Sequence, residues 1–216
     1  VLSPSQIDFI ETNFEVKSDY LYNTIDFNPE LRLETPPKKR GALNLTFLSN
    51  IIAEKGIFDL IEVTKLLPSN LKFDLNIYGA FNNDLIRKQF FKTILNHDNI
   101  HYKGVVCGLE KQSALDSCDV FILPSYNEGQ PISIIEAMSF GKPIITTNVG
   151  VVAEMFWPNY PLIISPGNKA QLESKLLSCF DVTFRGELSE RLYKNFEVKF
   201  NKAIYAHKLK HIFDLN

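Results

Sequence analysis

Apolar positions along this chain recur with two periods, one extended and one helical. Leu43-Asn-Leu-Thr-Phe-Leu48 predicts a strand. Gly56 to Leu67 predicts a helix, with Ile57, Leu60, Ile61, Thr64 and Leu67 at helical spacing and Pro68 as its stop. Leu71 to Tyr78 predicts a second strand broken by Gly79, and Asp84 to Leu95 a second helix. Ile100-His-Tyr-Lys103 is a short strand before Gly104, and Leu109 to Ser117 is helical. Val120-Phe-Ile-Leu123 is an all-apolar strand closed by Pro124, and Pro131 to Phe140 a helix closed by Gly141. Pro143-Ile-Ile-Thr-Thr147 predicts another strand and Val152 to Phe156 a short helix. Pro161-Leu-Ile-Ile164 follows as a last strand, and Lys169 to Phe180 is helical again.

Strands alternating with helices through short joints imply an α/β fold, with a mostly parallel sheet and helices on both faces. Central strands that are apolar throughout fit burial on both faces. Ligands bind such sheets at the carboxyl ends of the strands. That directs attention to loops 49–56, 79–83, 104–108, 124–131, 147–151 and 165–168.

The ends follow other patterns. Residues 1–26 read as a strand remnant plus a helix, ending in Tyr22-Asn-Thr-Ile-Asp26. Residues 27–41, with Pro29, Pro36, Pro37 and Lys38-Lys-Arg40, read as an exposed connector. The three basic residues fall short of the four to eight that lipid binding usually takes, so a solvated linker is preferred over a membrane-facing patch. The main domain is expected over 42–186, with C-terminal helices over 187–216.

The 216 residues allow one large domain, or one with a fragment of another. The first residue is Val1 and the only methionines are Met138 and Met155, so the sequence is expected to begin inside a longer product. A net charge of −2 offers no basic surface for a nucleic-acid backbone. Cys107, Cys118 and Cys179 read as reduced thiols, which suits a reducing, cytoplasmic compartment. No apolar run approaches the roughly 20 residues of a membrane span.

Chemistry concentrates in Pro124-Ser-Tyr-Asn-Glu128-Gly-Gln-Pro-Ile-Ser133-Ile-Ile-Glu136-Ala-Met-Ser-Phe-Gly141. Pro131 stands where a first helical residue belongs and Gly141 where a C-terminal cap belongs. The helix between them is apolar nearly all round, with Ser133 and Glu136 sharing one face. A carboxylate on such a helix needs hydrogen-bonding partners, and sugar hydroxyls would serve. Glu128 reads either as an acid stabilised by the helix dipole or as part of a site. The helix start offers backbone N–H groups between Gly129 and Ser133, Pro131 having none, and these suit a diphosphate.

Lys55, just before the first helix, opposes that helix's dipole unless an anion sits there. It reads either as a solvated surface lysine or as a point charge for a phosphate. Thr146-Thr-Asn-Val-Gly150 is either a simple tight turn or a place of close backbone approach. Phosphate loops of the Gly-x-x-x-x-Gly-Lys-Ser/Thr type, the Gly-x-Gly-x-x-Gly fingerprint and a metal-holding Asp-x-Asp pair are all missing. His207 and His211 lack the intervening Glu of a metalloprotease helix and read as an ordinary helix face.

Glu128-Gly-Gln-Pro-Ile-Ser-Ile-Ile-Glu136 resembles the Glu-x7-Glu motif of family-four retaining glycosyltransferases, the glycosyl transferases group 1. Ala137-Met-Ser-Phe-Gly-Lys-Pro-Ile-Ile-Thr-Thr-Asn-Val-Gly150, Phe47-Leu-Ser-Asn-Ile-Ile-Ala-Glu-Lys-Gly56 and Ile100-His-Tyr-Lys-Gly104 extend the match over roughly residues 40 to 180. The resemblance implies a Rossmann-like αβα domain, the C-terminal donor-binding half of a GT-B fold. It makes residues 1–26 the remnant of an acceptor domain and turns the C-terminal helices back toward that domain.

By the same resemblance Glu128 contacts the transferred sugar as the candidate catalytic residue, orienting it rather than attacking it. Glu136 would hold the nucleotide's ribose. Backbone groups of Gly129, Gln130 and Pro131, with Ile132 and Ser133 at the helix start, would meet sugar and phosphate. Lys55 would neutralise the diphosphate, and Val106 would lie where backbone meets the base. Asn50 stands where the family usually has Arg, Val151 where it has a second Gly, and Thr24 where its connector has Gly. The expected reaction is metal-independent retaining transfer from a nucleotide-diphosphate sugar to an acceptor hydroxyl, in polysaccharide, lipopolysaccharide or glycolipid synthesis, with no cofactor. The acceptor, and any contact with the inner membrane face, would belong to the missing half, and this piece alone would transfer nothing. The alternatives are a GT-B epimerase or phosphorylase, for which the loops offer mainly His101, and a non-catalytic nucleotide-sugar-binding domain, which Asn50 favours.

Overall fold

The structure, a computed structural model, describes residues 1–27 and 41–213. Most of the expected connector, including Lys38-Lys39-Arg40, lies outside the described residues. A 3-10 turn over Pro4–Gln6 leads into α1 (Ile7–Phe14). The chain then alternates: β1 (Leu43–Leu48), α2 (Ile57–Leu66), β2 (Phe73–Tyr78), α3 (Asp84–Ile94), β3 (Ile100–Gly104), α4 (Gly108–Ser117), β4 (Val120–Leu123), α5 (Ile132–Ser139), β5 (Ile144–Thr147) and β6 (Ile163–Ile164). Three helices close it: α6 (Lys169–Ser178), α7 (Val182–Lys199) and α8 (Lys202–Ile212).

The six strands form one sheet in the order β3-β2-β1-β4-β5-β6, and every pair is parallel. This is the expected three-layer α/β arrangement, with the sheet parallel throughout rather than mostly so. β4 is buried at every position, as a strand covered on both faces must be. The chain builds outward from β1 through β2 to β3, then returns to lay β4 against the other side of β1. At such a reversal the connections on either side diverge to opposite faces, and a crevice opens above the carboxyl ends of the two strands. The loops after β1 and β4, residues 49–56 and 124–131, therefore face each other there.

Several local expectations change. Residues 1–26 contain no strand among the described residues. The stretch after α1 is held instead by scattered bonds such as Leu21 N–H to Val1 O (2.8 Å), which make no ladder. Its far end packs on the C-terminal helices. Phe27 lies edge-on to Phe140 and Phe196, Tyr22 sits beside Phe200, and the Thr24 hydroxyl donates to Phe200 O at 2.6 Å. Gly56 does not start a helix. It takes φ +72°, so Lys55 sits in a separate 3-10 turn (Ala53–Lys55) and α2 begins one residue later. Pro131 is the N-cap of α5 rather than its first residue, and Val152–Met155 is a 3-10 turn. The boundary expected at 186/187 falls inside α7, which starts at Val182 because the Asp181 carboxylate caps the N–H groups of Thr183 and Phe184.

The core lies on both sides of the sheet, and Phe47, Phe121 and Leu45 are among its fully buried side chains. Cys118 and Cys179 belong to it: burial pushes their thiols up to about 11 and about 12, so neither forms a thiolate at neutral pH. Cys107 is exposed. A thiol reagent at neutral pH is expected to modify one cysteine of the native chain and three of the denatured chain. Native reaction at Cys118 would contradict this packing.

Candidate functional site

The loop leaving β4 is pinned before it reaches Glu128. Ser125 is fully buried, and its carbonyl accepts a hydrogen bond from the Thr147 hydroxyl at 2.6 Å. Tyr126 N–H donates to Glu54 O at 2.8 Å, which fastens this loop to the 3-10 turn carrying Lys55. The Tyr126 hydroxyl bonds to Asp59 at the start of α2. Two glycines let the loops approach this closely. A Cβ on Gly56 would lie 2.1 Å from Pro124 O, and one on Gly150, at φ +53°, would lie 1.9 Å from Glu128 O. Of the two readings of the 146–150 stretch, the structure shows close approach within a turn.

These contacts bring Lys55 and Glu128 together. Lys55 Nζ lies 2.7 Å from Glu128 Oε1, with the side chains 21% and 8% exposed. Ser125 Oγ donates to the same oxygen at 2.8 Å. Glu128 is therefore not held by the α5 dipole alone: two donors fix Oε1, while Oε2 has no partner among the described residues. Glu136, one helical turn beyond Ser133, is paired through Oε1 with Lys111 on α4, its side chain 14% exposed. The partner that the sequence required for this acid is thus a lysine. The same ion pair links α4 to α5, and Val106 is partly exposed in the loop before α4.

The remaining expected residues divide. The backbone N–H groups of Gly129, Gln130, Ile132 and Ser133 have no partner among the described residues. They face the α5 N-terminus, where the helix dipole favours an anion. Ile132 is exposed, Ser133 and Pro131 are half-buried, and Gly129 is exposed. The Gln130 side chain is committed elsewhere. It is buried, its Oε1 accepts from Asn23 N–H, and its Nε2 donates to Leu2 O at 3.3 Å. Asn50 is exposed in the loop after β1, on the β2 side of the crevice. Ser125 and Thr147 lie inside the two stretches marked in the sequence, without a role of their own there, and Lys111 lies outside both. Ser125 had a signal, a hydroxyl three residues before a candidate acid, whereas Lys111 had none.

Chemically, the unpaired amides before α5 and the Lys55 cation suit an anion, and the carboxylates of Glu128 and Glu136, each paired with a lysine through Oε1, can accept from hydroxyl groups. Among the described residues no three metal-ligating side chains cluster, and no helix is long and apolar enough to cross a membrane.

A family model described as glycosyl transferases group 1 matches residues 33–197. Among curated proteins the chain is 29% identical over 182 residues to a Bacillus subtilis protein provisionally named as the teichuronic acid biosynthesis glycosyltransferase TuaC. The match covers 83% of this chain and 43% of that one, so the chain spans under half of this relative's length. Among solved structures, sucrose-phosphate synthase from Thermosynechococcus elongatus superposes with a TM-score of 0.84 at 16% identity, over 99% of this chain and 57% of that one. Anabaena Alr3699/HepE, solved in complex with UDP-glucose, superposes with a TM-score of 0.80 at 18% identity, over 97% and 61%. At these identities the likeness is one of fold: a Rossmann-like half of the GT-B arrangement.

Proposed function

The chain belongs to the glycosyl transferases group 1 family, and from that membership we propose that it is the donor-binding half of a retaining, metal-independent glycosyltransferase using a nucleotide-diphosphate sugar. The observation that carries this is the crevice between the β1 and β4 loops. There Lys55 pairs with Glu128 Oε1 just before the start of α5, whose first amides have no partner among the described residues, and Glu136 stands one turn into that helix, paired with Lys111. The diphosphate takes the amides and Lys55. Glu136 binds the ribose hydroxyls and Glu128 a hydroxyl of the transferred sugar. The loop carrying Val106 faces the base.

In the reaction the acceptor hydroxyl attacks the anomeric carbon, the bond from that carbon to the diphosphate oxygen breaks, and the hydroxyl's proton passes to the departing diphosphate. Charge grows on the leaving diphosphate, where a lysine and preorganised amides stabilise it most. The name of the relative TuaC supports a role in polysaccharide synthesis. The acceptor, and contact with the inner face of a membrane, fall to the part of the protein beyond this chain, in the cytoplasm. This chain alone is then expected to transfer nothing.

Calorimetric titration of the folded chain with UDP, ADP, GDP and TDP tests the reading: at least one should bind, and binding by none would refute it. Glu136→Ala is expected to weaken that nucleotide by about 10- to 100-fold, the usual worth of hydrogen bonds to a charged group. Unchanged affinity would remove the ribose role. A second reading, a non-catalytic sugar-nucleotide-binding domain, is favoured by one observation: Asn50, exposed and neutral, stands in the loop that bears a cation in the family pattern. Transfer by the complete protein decides between them.

A further inference from the structure

Ser125 is a polar side chain with no exposure at all, two residues beyond the end of the wholly apolar strand β4. A buried hydroxyl must find a partner, and this one uses Glu128 Oε1 at 2.8 Å. The residue is held from behind: the Thr147 hydroxyl, also fully buried, donates to Ser125 O at 2.6 Å. Oε1 thus has two donors of different kinds. Lys55 is a long cation reaching over from a neighbouring 3-10 turn, while Ser125 is a short, fully buried side chain in the loop that leaves β4.

We propose that Ser125 is a positioning residue that keeps Glu128 aimed at the sugar once Lys55 has turned to the diphosphate. This rests on the donor-binding reading above. A diphosphate draws Lys55 away from Glu128 because it carries more charge than one carboxylate. Without Ser125 the carboxylate would then lose both donors and rotate freely. With it, Oε1 stays fixed, and Oε2 keeps no partner among the described residues and is left to accept from the sugar. Thr147 acts one step further back, by fixing the Ser125 backbone.

The test compares the parental chain with Ser125→Ala, Ser125→Thr and Thr147→Val, each checked for folding by thermal melting. Each is titrated with the nucleoside diphosphate that binds the parent and with that nucleotide's glucose, galactose, mannose and N-acetylglucosamine conjugates. In Ser125→Ala the best-bound conjugate should weaken by about tenfold or more, the scale of one hydrogen bond to a charge, while the bare diphosphate shifts by under about twofold. Thr147→Val should move the same way by less, and Ser125→Thr, which keeps the hydroxyl, should recover sugar affinity. Equal weakening of both ligands would mark a merely structural role, and unchanged sugar affinity would remove any role; either overturns the proposal. A parental chain that binds no diphosphate refutes the donor-binding reading itself, and this inference with it.

Discussion

Gly150→Ala is expected to remove nucleotide binding and to lower stability by about 3 kcal/mol or more. The residue sits at φ +53°, where a non-glycine residue costs of order 1–3 kcal/mol. The added Cβ would also meet Glu128 O at 1.9 Å and Gly129 O at 3.2 Å. Both obstacles are backbone atoms, which cannot turn aside as a side chain can. The loop must therefore move, and the loop carries Glu128 and the amides before α5. A denaturant midpoint shift, measured with the titration above, checks both halves. A variant with a parental midpoint would show that the β4 and β5 loops do not meet as described. The mechanism is steric, so the loss should be independent of salt and pH.

Lys55→Ala separates two roles of one side chain. Glu128 is nearly buried, and deleting a buried acid's cation leaves an uncompensated charge; the remaining exposure of the pair brings the cost to about 2 kcal/mol. The same variant should weaken the diphosphate by about 10- to 100-fold, with the loss shrinking as salt rises. In Lys55→Ala/Glu128→Gln the buried charge is gone, so stability should return toward the parental value. Diphosphate affinity should not return, because its cation is still absent. Recovery of both in the double variant would mean that Lys55 serves only to neutralise Glu128.

Much of this fold was legible because parallel sheets write themselves plainly. Val120 to Leu123 is apolar at every position, and only a strand covered on both faces uses such a run. The loops at the strand ends follow from that, and with them Lys55 and Glu128, while Glu136 shows as a carboxylate on a helix otherwise apolar nearly all round. Contacts between elements distant in sequence were not legible. Lys111 lies on a half-exposed helix whose pattern gives no direction, and only the folded sheet brings it to Glu136. Gln130 sits in the motif and reads as a ligand group, yet its side chain is taken by Leu2 and Asn23, a hundred residues and more away. The opening of α2 was misplaced by one residue because Gly56 looks like a helix start. Its left-handed backbone is instead demanded by the nearness of Pro124.

That double grip of Gln130 has a mechanical consequence. Asn23 holds both its side chain and its main-chain oxygen, and Leu2 holds the other end of its amide. The two strips of chain around α1 are thereby riveted to the residue between Gly129 and Pro131. Torque applied to those strips is shared between the core rings that Tyr22 and Phe27 pack on and these few bonds beside the crevice. Part of a pull on the first residues of the chain is therefore passed to the residue that neighbours the unpaired amides before α5.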